Sequence, residues 1–336
     1  MKTPAILTLT PRGHALARRI APPLGAELLP TGDSVRGPME NAFRAGRPLV
    51  CVMALGIVVR MLARLTADKT TDAPVVVVDE AGRFAVSVLG GHAGANDLAA
   101  RVAAIVGATP VITTASDVLG LPAVDLIGRS RGWVIESREQ LTDVTAAVVR
   151  GEQVAVCQDA GSPDWWQEFG EWPTTFQRVQ TWPQGCWNAL LAITDRHVPP
   201  LIYPTVVYRP RTLVLGIGCR RGVSGAEIEA LFQRVCTAHV FSPLSLGLVS
   251  TVSLKAEEPG LLEFIQRHDV PLRVYAVDEL GQVPDLPTPS AKVREKIGIA
   301  GVAEPAALLA AGTDRLLMPK FKGERVTMAV ARREEP

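Results

Sequence analysis

The chain alternates unbroken apolar runs with amphipathic stretches, a pattern that predicts α/β modules. Residues 5–10 form a β-like run, followed by a helical pattern over 13–20 that ends in Arg18 and Arg19. Residues 22–38 are rich in Pro and Gly and predict a loop, with one short strand at 27–29. A weak helix is expected over 39–45, then a strongly buried strand over 48–54, Gly56, and a helix over 57–65. That strand–glycine–helix order places ligands at the carboxyl ends of strands. Four valines running into Asp79 predict another buried strand, and the turn over 80–83 leads into a strand over 84–89, so the pair reads as a hairpin. A helix from Asn96 to about Gly107 and a strand over 110–114, closing with Ala115, Ser116 and Asp117, complete the first module.

The texture then changes. All six tryptophans (Trp133, Trp165, Trp166, Trp172, Trp182, Trp187) fall between residues 119 and 202. Only a helix over 139–150 and a strand over 153–158 stand out there, and the prolines of 196–204 read as a linker. From residue 211 the α/β rhythm returns. Strands are expected at 213–216, 247–254, 272–276, 316–319 and 326–331, and helices at 225–236, 259–268, 290–296 and 303–311. Residues 218–222 read as a loop and 284–289 as an extended one, and Ser224 with Glu227 three residues on predicts a capping box for the helix at 225. The expected fold class is α/β: two α/β domains, 1–118 and 205–336, flanking a smaller and less regular middle domain, 119–204.

Composition narrows the function. Apolar residues make up 47% of the 336 positions, enough for a sizeable core in each part. Lys and Arg total 35 against 34 Asp and Glu, a balance that argues against nucleic-acid or membrane-surface binding but leaves room for local arginine clusters. The five cysteines (Cys51, Cys157, Cys186, Cys219, Cys236) are scattered singly, with neither zinc-site nor redox spacing, and fit a reducing cytoplasm. The longest apolar run, 49–59, falls short of the roughly 20 residues a bilayer requires, and the amino-terminal residues are too brief for a signal-peptide core.

Two glycine turns stand out. In the first, Gly90 and Gly91 let the chain turn sharply, His92 carries a proton near neutral pH, and Gly94, Asn96 and Asp97 open an alanine-rich helix whose free amides favour an anion. The bland alternative is a turn whose histidine simply bonds the backbone. One His without a second His or a Cys nearby gives no case for a metal. In the second, residues 216–222 read GIGCRRG, which is neither a Walker loop nor a dinucleotide fingerprint. What remains is an anion turn in which Arg220 and Arg221 clamp carboxylates, or else two solvated arginines. Cys219 beside them is a nucleophile candidate, with a buried inert thiol as the plainer reading. Ser253, Lys255 and Glu258 stand at a strand end, and Lys320 follows another strand. Glu304, before Pro305, suits the start of a helix. The loop over 68–72 is a polar cluster that solvation alone explains.

Taken together these blocks resemble a known family. ALGIVVR, then DKTTDAPVVVVDEAGRFAVSVLGGHAGANDLA and GATPVITTASD, look like the amino-terminal region of cobalt-precorrin-5A hydrolases. GIGCRRGVSGAEIE, TVSLKAEEPGLLEF, TPSAKVREKIGIAGVAEPAALLAAG and LLMPKFK resemble that family's carboxyl-terminal domain. The resemblance keeps the family's order over nearly the whole chain, except 119–202, where no motif matches closely. It implies an enzyme of cobalamin biosynthesis. Such an enzyme opens the ring A δ-lactone of a cobalt corrinoid with water, then releases C-20 and its methyl as acetaldehyde. The chemistry calls for a general base and an oxyanion site. On this reading His92 is the base, and Asn96 orients water or ligand. Gly90, Gly91 and the amides of 94–96 form the oxyanion site. Gly56, Gly218, Cys219, Arg220, Arg221, Ser253, Lys255, Glu304 and Lys320 line the substrate. No protein-bound cofactor or metal is implied, because the cobalt arrives with the substrate. The implied partners are the corrinoid itself and, along the pathway, neighbouring methyltransferases; nucleic acid and membrane are not among them. Two other classes fit the same turns: a non-catalytic corrinoid escort, and a phosphate- or nucleotide-binding enzyme.

Overall fold

The structure is a computed structural model that describes the chain except residues 1, 33, 68–71, 115–119 and 335–336 and the side chains of His92 and Lys292. The polar loop at 68–72 therefore lies, but for Asp72, outside the described residues, as do Ala115, Ser116, Asp117 and the expected 118/119 boundary. The chain divides into two compact units, 1–123 and 124–336.

The first unit contains β1 (Ala5–Thr8), α1 (Pro11–Leu24), β2 (Glu27–Leu28), α2 (Arg36–Arg44), β3 (Leu49–Val52), α3 (Leu55–Leu62), β4 (Val75–Val78), β5 (Phe84–Leu89), α4 (Asn96–Val106) and β6 (Thr109–Val111). The sheet order is β2-β1-β3-β4-β5-β6. Strands β1 to β4 are mutually parallel, β5 runs antiparallel to β4, and β6 runs parallel to β5. The central strands are apolar at every position because both faces are covered. Ile6, Val50 and Val76 pack toward α1 and α4, while their neighbours Leu7, Cys51 and Val77 pack toward α2 and α3. The hairpin between β4 and β5 forms as expected: the Asp79 carboxylate accepts the amides of Arg83 (2.7 Å) and Phe84 (2.8 Å) and closes the turn.

The second unit carries two sheets. The middle one comprises β7 (Val134–Ile135), α5 (Leu141–Val149), β8 (Val154–Gln158), β9 (Phe176–Val179), β10 (Ala189–Ile193) and β11 (Thr205–Arg209), in the order β7-β11-β10-β8-β9. It is more regular than its sequence suggests, because strands of two to five residues between Trp- and Pro-rich connections leave little periodicity to read. The expected boundary at 204/205 is displaced: β11 pairs in register with β10 from Leu190↔Thr205 to Ile193↔Tyr208 and belongs to the middle sheet. The tryptophans are packing groups. Trp165 is fully buried with its Nε1–H on Gln158 Oε1 (3.1 Å), and Trp172 meets Trp165, Trp166 and Phe176 edge-on.

The last sheet comprises β12 (Leu213–Cys219), α6 (Gly225–His239), β13 (Leu246–Val252), α7 (Pro259–His268), β14 (Leu272–Tyr275), α8 (Val277–Gly281), α9 (Ala291–Ile297), α10 (Ala303–Ala311), β15 (Leu316–Lys322) and β16 (Val326–Arg332). Its order is β14-β13-β12-β16-β15, with β12, β13 and β14 parallel and β15 and β16 a closing antiparallel pair. Between the two sheets of this unit, the fully buried Asp195 accepts both Arg332 Nε and Nη2 at 2.7 Å and Thr212 Oγ1 at 3.0 Å. Among the described residues no helix is long and apolar enough to cross a membrane.

Candidate functional site

In the first unit, the register Val75↔Leu89 brings the end of β5 beside the start of β4. The chain leaves β5 through Gly90, whose backbone is left-handed (φ 68°); a Cβ there would stand 3.0 Å from Pro74 Cα, so only glycine fits. Residues 91–95 then lead into α4 through a kink at Gly94, whose backbone is non-helical (φ 111°). The Gly90 carbonyl accepts the amides of Ala93 and Ala95, both at 2.9 Å, and the Gly91 carbonyl accepts that of Asn96. Asn96 Nδ2 donates to Thr114 Oγ1 (3.1 Å), which fastens the turn to the segment after β6. Gly91 sits against this pair; a Cβ on it would lie 3.1 Å from both Thr114 Oγ1 and Asn96 Oδ1. His92 stands in the middle of the turn, its side chain outside the described residues.

Two expectations change here. The amides of Ala95 and Asn96 are engaged within the turn and offer nothing to an oxyanion, so of the amides expected there those of Gly91 and Gly94 remain, with His92 beside them. Gly56 is not part of this site. It lies in the first turn of α3, beyond the carboxyl end of β3, whereas the His92 turn follows β5, which runs the opposite way. The sheet's antiparallel switch places the two on opposite edges.

In the second unit, the glycines of GIGCRRG are strand residues, because β12 continues to Cys219. Gly216 lets α10 approach: a Cβ there would fall 1.9 Å from the Ala303 carbonyl oxygen. Gly218 packs likewise on Thr327, whose hydroxyl donates to its carbonyl at 3.1 Å. Packing accounts for both glycines. The turn proper is 220–222, with both arginines exposed at the carboxyl edge of β12. Here the Arg220 amide donates to the Arg325 carbonyl (2.9 Å), and the Gly222 amide donates to the Glu258 carboxylate. β13 ends beside β12, and a single 3₁₀ turn at 253–255 follows it, presenting Lys255. Lys255 Nζ bonds Glu258 Oε2 at 3.0 Å. The structure thus brings Cys219, Arg220, Arg221, Ser253 and Lys255 to one sheet edge. Glu258, which the sequence marked only as one polar residue at a strand end, ties the two turns together.

Glu258 is nearly buried, and the Lys255 ammonium, followed by the Gly222 amide and the nearby Arg221 charge, holds its carboxyl below the ordinary carboxylate range against the opposing effect of burial. A carboxyl depressed in the folded state stabilises the fold above its unfolded value, and that contribution is lost as pH falls through the folded one. Glu258→Gln is therefore expected to cost about 1–3 kcal/mol at neutral pH. The variant and the parent should converge at acid pH, as urea unfolding at a series of pH values will show; a difference independent of pH would contradict the ionic role. Burial pushes the Cys219 thiol up, partly offset by Lys255 and Arg325, which weighs against a nucleophile there.

Arg325 gave no sequence signal, since it lies 104 positions from its partner. Its Nη2 donates to the Arg221 carbonyl (2.9 Å) and its Nη1 pairs with Glu227 (3.3 Å), bracing the arginine turn against α6. The Ser224–Glu227 capping box forms as expected. Glu304 proves to be buried and Lys320 half-buried. Glu304, 1% exposed, accepts Thr288 Oγ1 (2.9 Å) and the Lys320 amide (3.0 Å), and Lys320 Nζ bonds the Thr288 carbonyl. Burial lowers the Lys320 pKa. Together they clamp the loop before α9. Among the described residues no group of three His, Cys, Asp or Glu is placed to hold a metal ion.

Three family models match successive parts of the chain: Cobalamin synthesis G N-terminal over residues 38–117, Cobalamin biosynthesis central region over 122–210, and Cobalamin synthesis G C-terminus over 213–331. The fold and these matches define a modular α/β protein of cobalamin synthesis. The Cobalt-precorrin-5A hydrolase of Priestia megaterium is 40% identical over 306 residues, covering 89% of this chain and 82% of that protein. That of Salmonella typhimurium is 32% identical over 351 residues, covering 97% of each. Protein CobE of a Sinorhizobium species is 36% identical over 121 residues, covering 35% of this chain and 79% of that protein. The chain belongs to the cobalt-precorrin-5A hydrolase family.

Proposed function

We propose that this chain opens the ring A δ-lactone of cobalt-precorrin-5A with water and releases the C-20 carbon and its methyl as acetaldehyde. The observation that carries the reading at atomic level is the closed turn over residues 90–95, with a titratable residue at its centre and its leading amides ahead of α4. In the first step His92 takes a proton from water as the oxygen adds to the lactone carbonyl. The amides at Gly91 and Gly94 receive the developing oxyanion. Collapse expels the ring oxygen at C-20, which takes up the proton from the base, and the new carboxylic acid on ring A releases its own proton to solvent. In the second step the C-20 hydroxyl gives its proton back to the base, its carbon becomes the aldehyde carbonyl, and the electron pair of the broken carbon–carbon bond stays with the macrocycle. One base thus serves both steps. Arg220, Arg221 and Lys255 pair with peripheral carboxylates of the corrinoid. No protein-bound metal or organic cofactor enters either step.

The likeness to CobE covers only about a third of the chain; a second reading is that the carboxyl-terminal sheet binds a corrinoid without chemistry. Anaerobic incubation of the chain with cobalt-precorrin-5A separates the two. Stoichiometric acetaldehyde, trapped and quantified, supports the hydrolase. Tight binding of the corrinoid without acetaldehyde supports the escort.

A further inference from the structure

The exposure of Arg220 and Arg221 says little by itself, since Arg12, Arg19 and Arg101 are exposed as well. What sets their turn apart is its backbone. Three successive residues are tied from outside. The Arg220 amide donates to the Arg325 carbonyl (2.9 Å), the Arg221 carbonyl accepts Arg325 Nη2 (2.9 Å), and the Gly222 amide donates to the Glu258 carboxylate. The flanks are fixed too. Cys219, the last residue of β12, is paired with Val326, and Val223 is buried. Gly260 of α7 packs so closely on the chain there that a Cβ on it would stand 2.2 Å from the Val223 carbonyl oxygen. Surface loops are ordinarily the looser parts of a fold. Burying a carboxylate such as Glu258 costs desolvation, and a turn of merely solvated arginines has no use for it.

Arg325 makes two of these three ties, one with its carbonyl and one with its guanidinium. It stands in the turn between β15 and β16, which the Gly323 amide closes on the Val326 carbonyl (2.8 Å). Its Nη1 meets both Glu227 oxygens at 3.3 and 3.4 Å. Glu227 is held in turn by the Ser224 amide (2.9 Å) within the capping box of α6. The planar fork of a guanidinium lets one side chain serve a carboxylate and a carbonyl at once. Arg325 therefore connects the backbone between Arg220 and Arg221 to the start of a helix. A binding turn ordered only when its ligand arrives loses affinity to that ordering, whereas one fixed beforehand does not.

We propose that Arg325 is a positioning residue for corrinoid binding: it holds the backbone of 220–222 in the one conformation from which Arg220 and Arg221 pair with the peripheral carboxylates. This rests on the assignment of those two arginines under the proposed function. Arg325 acts through the turn and makes no contact of its own with the ligand, so its contribution exists only while the two arginines are present.

A double-mutant cycle read by isothermal titration calorimetry on the full chain tests this without turnover, with cobyrinic acid (a corrinoid with free carboxylates) as the probe. The proteins are wild type, Arg325→Gln, the pair Arg220→Gln/Arg221→Gln, and the combination. The pair is expected to lose at least about tenfold in affinity and Arg325→Gln alone about fivefold, while adding Arg325→Gln to the pair should cost less than about twofold more. Thermal melting of the same proteins isolates a merely structural brace, which would lower the midpoint and leave the affinity of the folded chain unchanged; that result overturns the proposal. The same fold-loss from Arg325→Gln in both backgrounds also overturns it, because Arg325 would then meet the ligand itself. Wild-type affinity in the arginine pair, or no binding of the probe to wild type, refutes the clamp and leaves nothing for Arg325 to position. Because no acetaldehyde is measured, a cycle that behaves as expected in a chain that releases none from cobalt-precorrin-5A would refute the hydrolase reading and keep this one.

Discussion

Replacing His92 with glutamine is expected to lower the anaerobic release of acetaldehyde from cobalt-precorrin-5A by about 10²–10⁴-fold, the usual contribution of a positioned general base. Glutamine fills similar space and still forms hydrogen bonds, but it neither takes nor returns a proton. Water then attacks the lactone carbonyl without a proton acceptor, and the C-20 hydroxyl has none as its carbon leaves. Both steps slow together, so opened-lactone intermediate should not accumulate. The KM should change little, because the carboxylate-pairing residues proposed for the corrinoid lie elsewhere. A pre-steady-state time course that follows the corrinoid spectrum and trapped acetaldehyde in parallel separates these outcomes. Release at the wild-type rate would remove His92 from the mechanism and leave the turn as a structural feature.

The second large effect concerns stability. Gly216→Ala should destabilise the second unit by at least about 3 kcal/mol, the upper part of the usual range for overpacking. The added methyl would stand 1.9 Å from the Ala303 carbonyl oxygen and 2.8 Å from the Ala307 amide nitrogen. Both are backbone atoms of α10, so no side chain can rotate away, and the helix as a body must move off β12. That displacement also disturbs Glu304 at its start and with it the clamp on Thr288 and Lys320. In a unit of this size the thermal midpoint should drop by about 6–12 °C. Gly37→Ala in α2 is the control: nothing lies within 4 Å of a Cβ there, and alanine is the better helix former by about 1 kcal/mol. A Gly216→Ala protein that melts with the wild type would refute the packing account of this motif.

The GIGCRRG segment illustrates how sequence and structure divide. As a string it reads as a ligand loop, since glycines between a strand and a helix are usually turn residues. In the fold two of those glycines are strand positions, made necessary by a helix arriving from almost ninety residues downstream. No local pattern announces that approach. The arginines remain at the rim as the string suggests, but what braces them, Arg325 and Glu258, comes from other strands and turns. Glu304 and Lys320 look like free charges on paper and are joined only because the fold brings Thr288 between them.

The sequence by itself determined the α/β class, the hairpin at Asp79, the capping box at Ser224, the run of the principal helices, and the family resemblance carried by its motifs. All of these rest on interactions within about a dozen residues or on motif order, which a linear chain records directly. Only the tertiary structure decided that the middle region is a five-stranded sheet closed by residues 205–209, and that Gly56 and the His92 turn occupy opposite edges. The same holds for which polar residues serve the fold. Each of those outcomes depends on strand direction, register and long-range contact. The physical reason is that burial and hydrogen-bond satisfaction are properties of neighbours in space, and for these residues the decisive neighbours are distant in the chain.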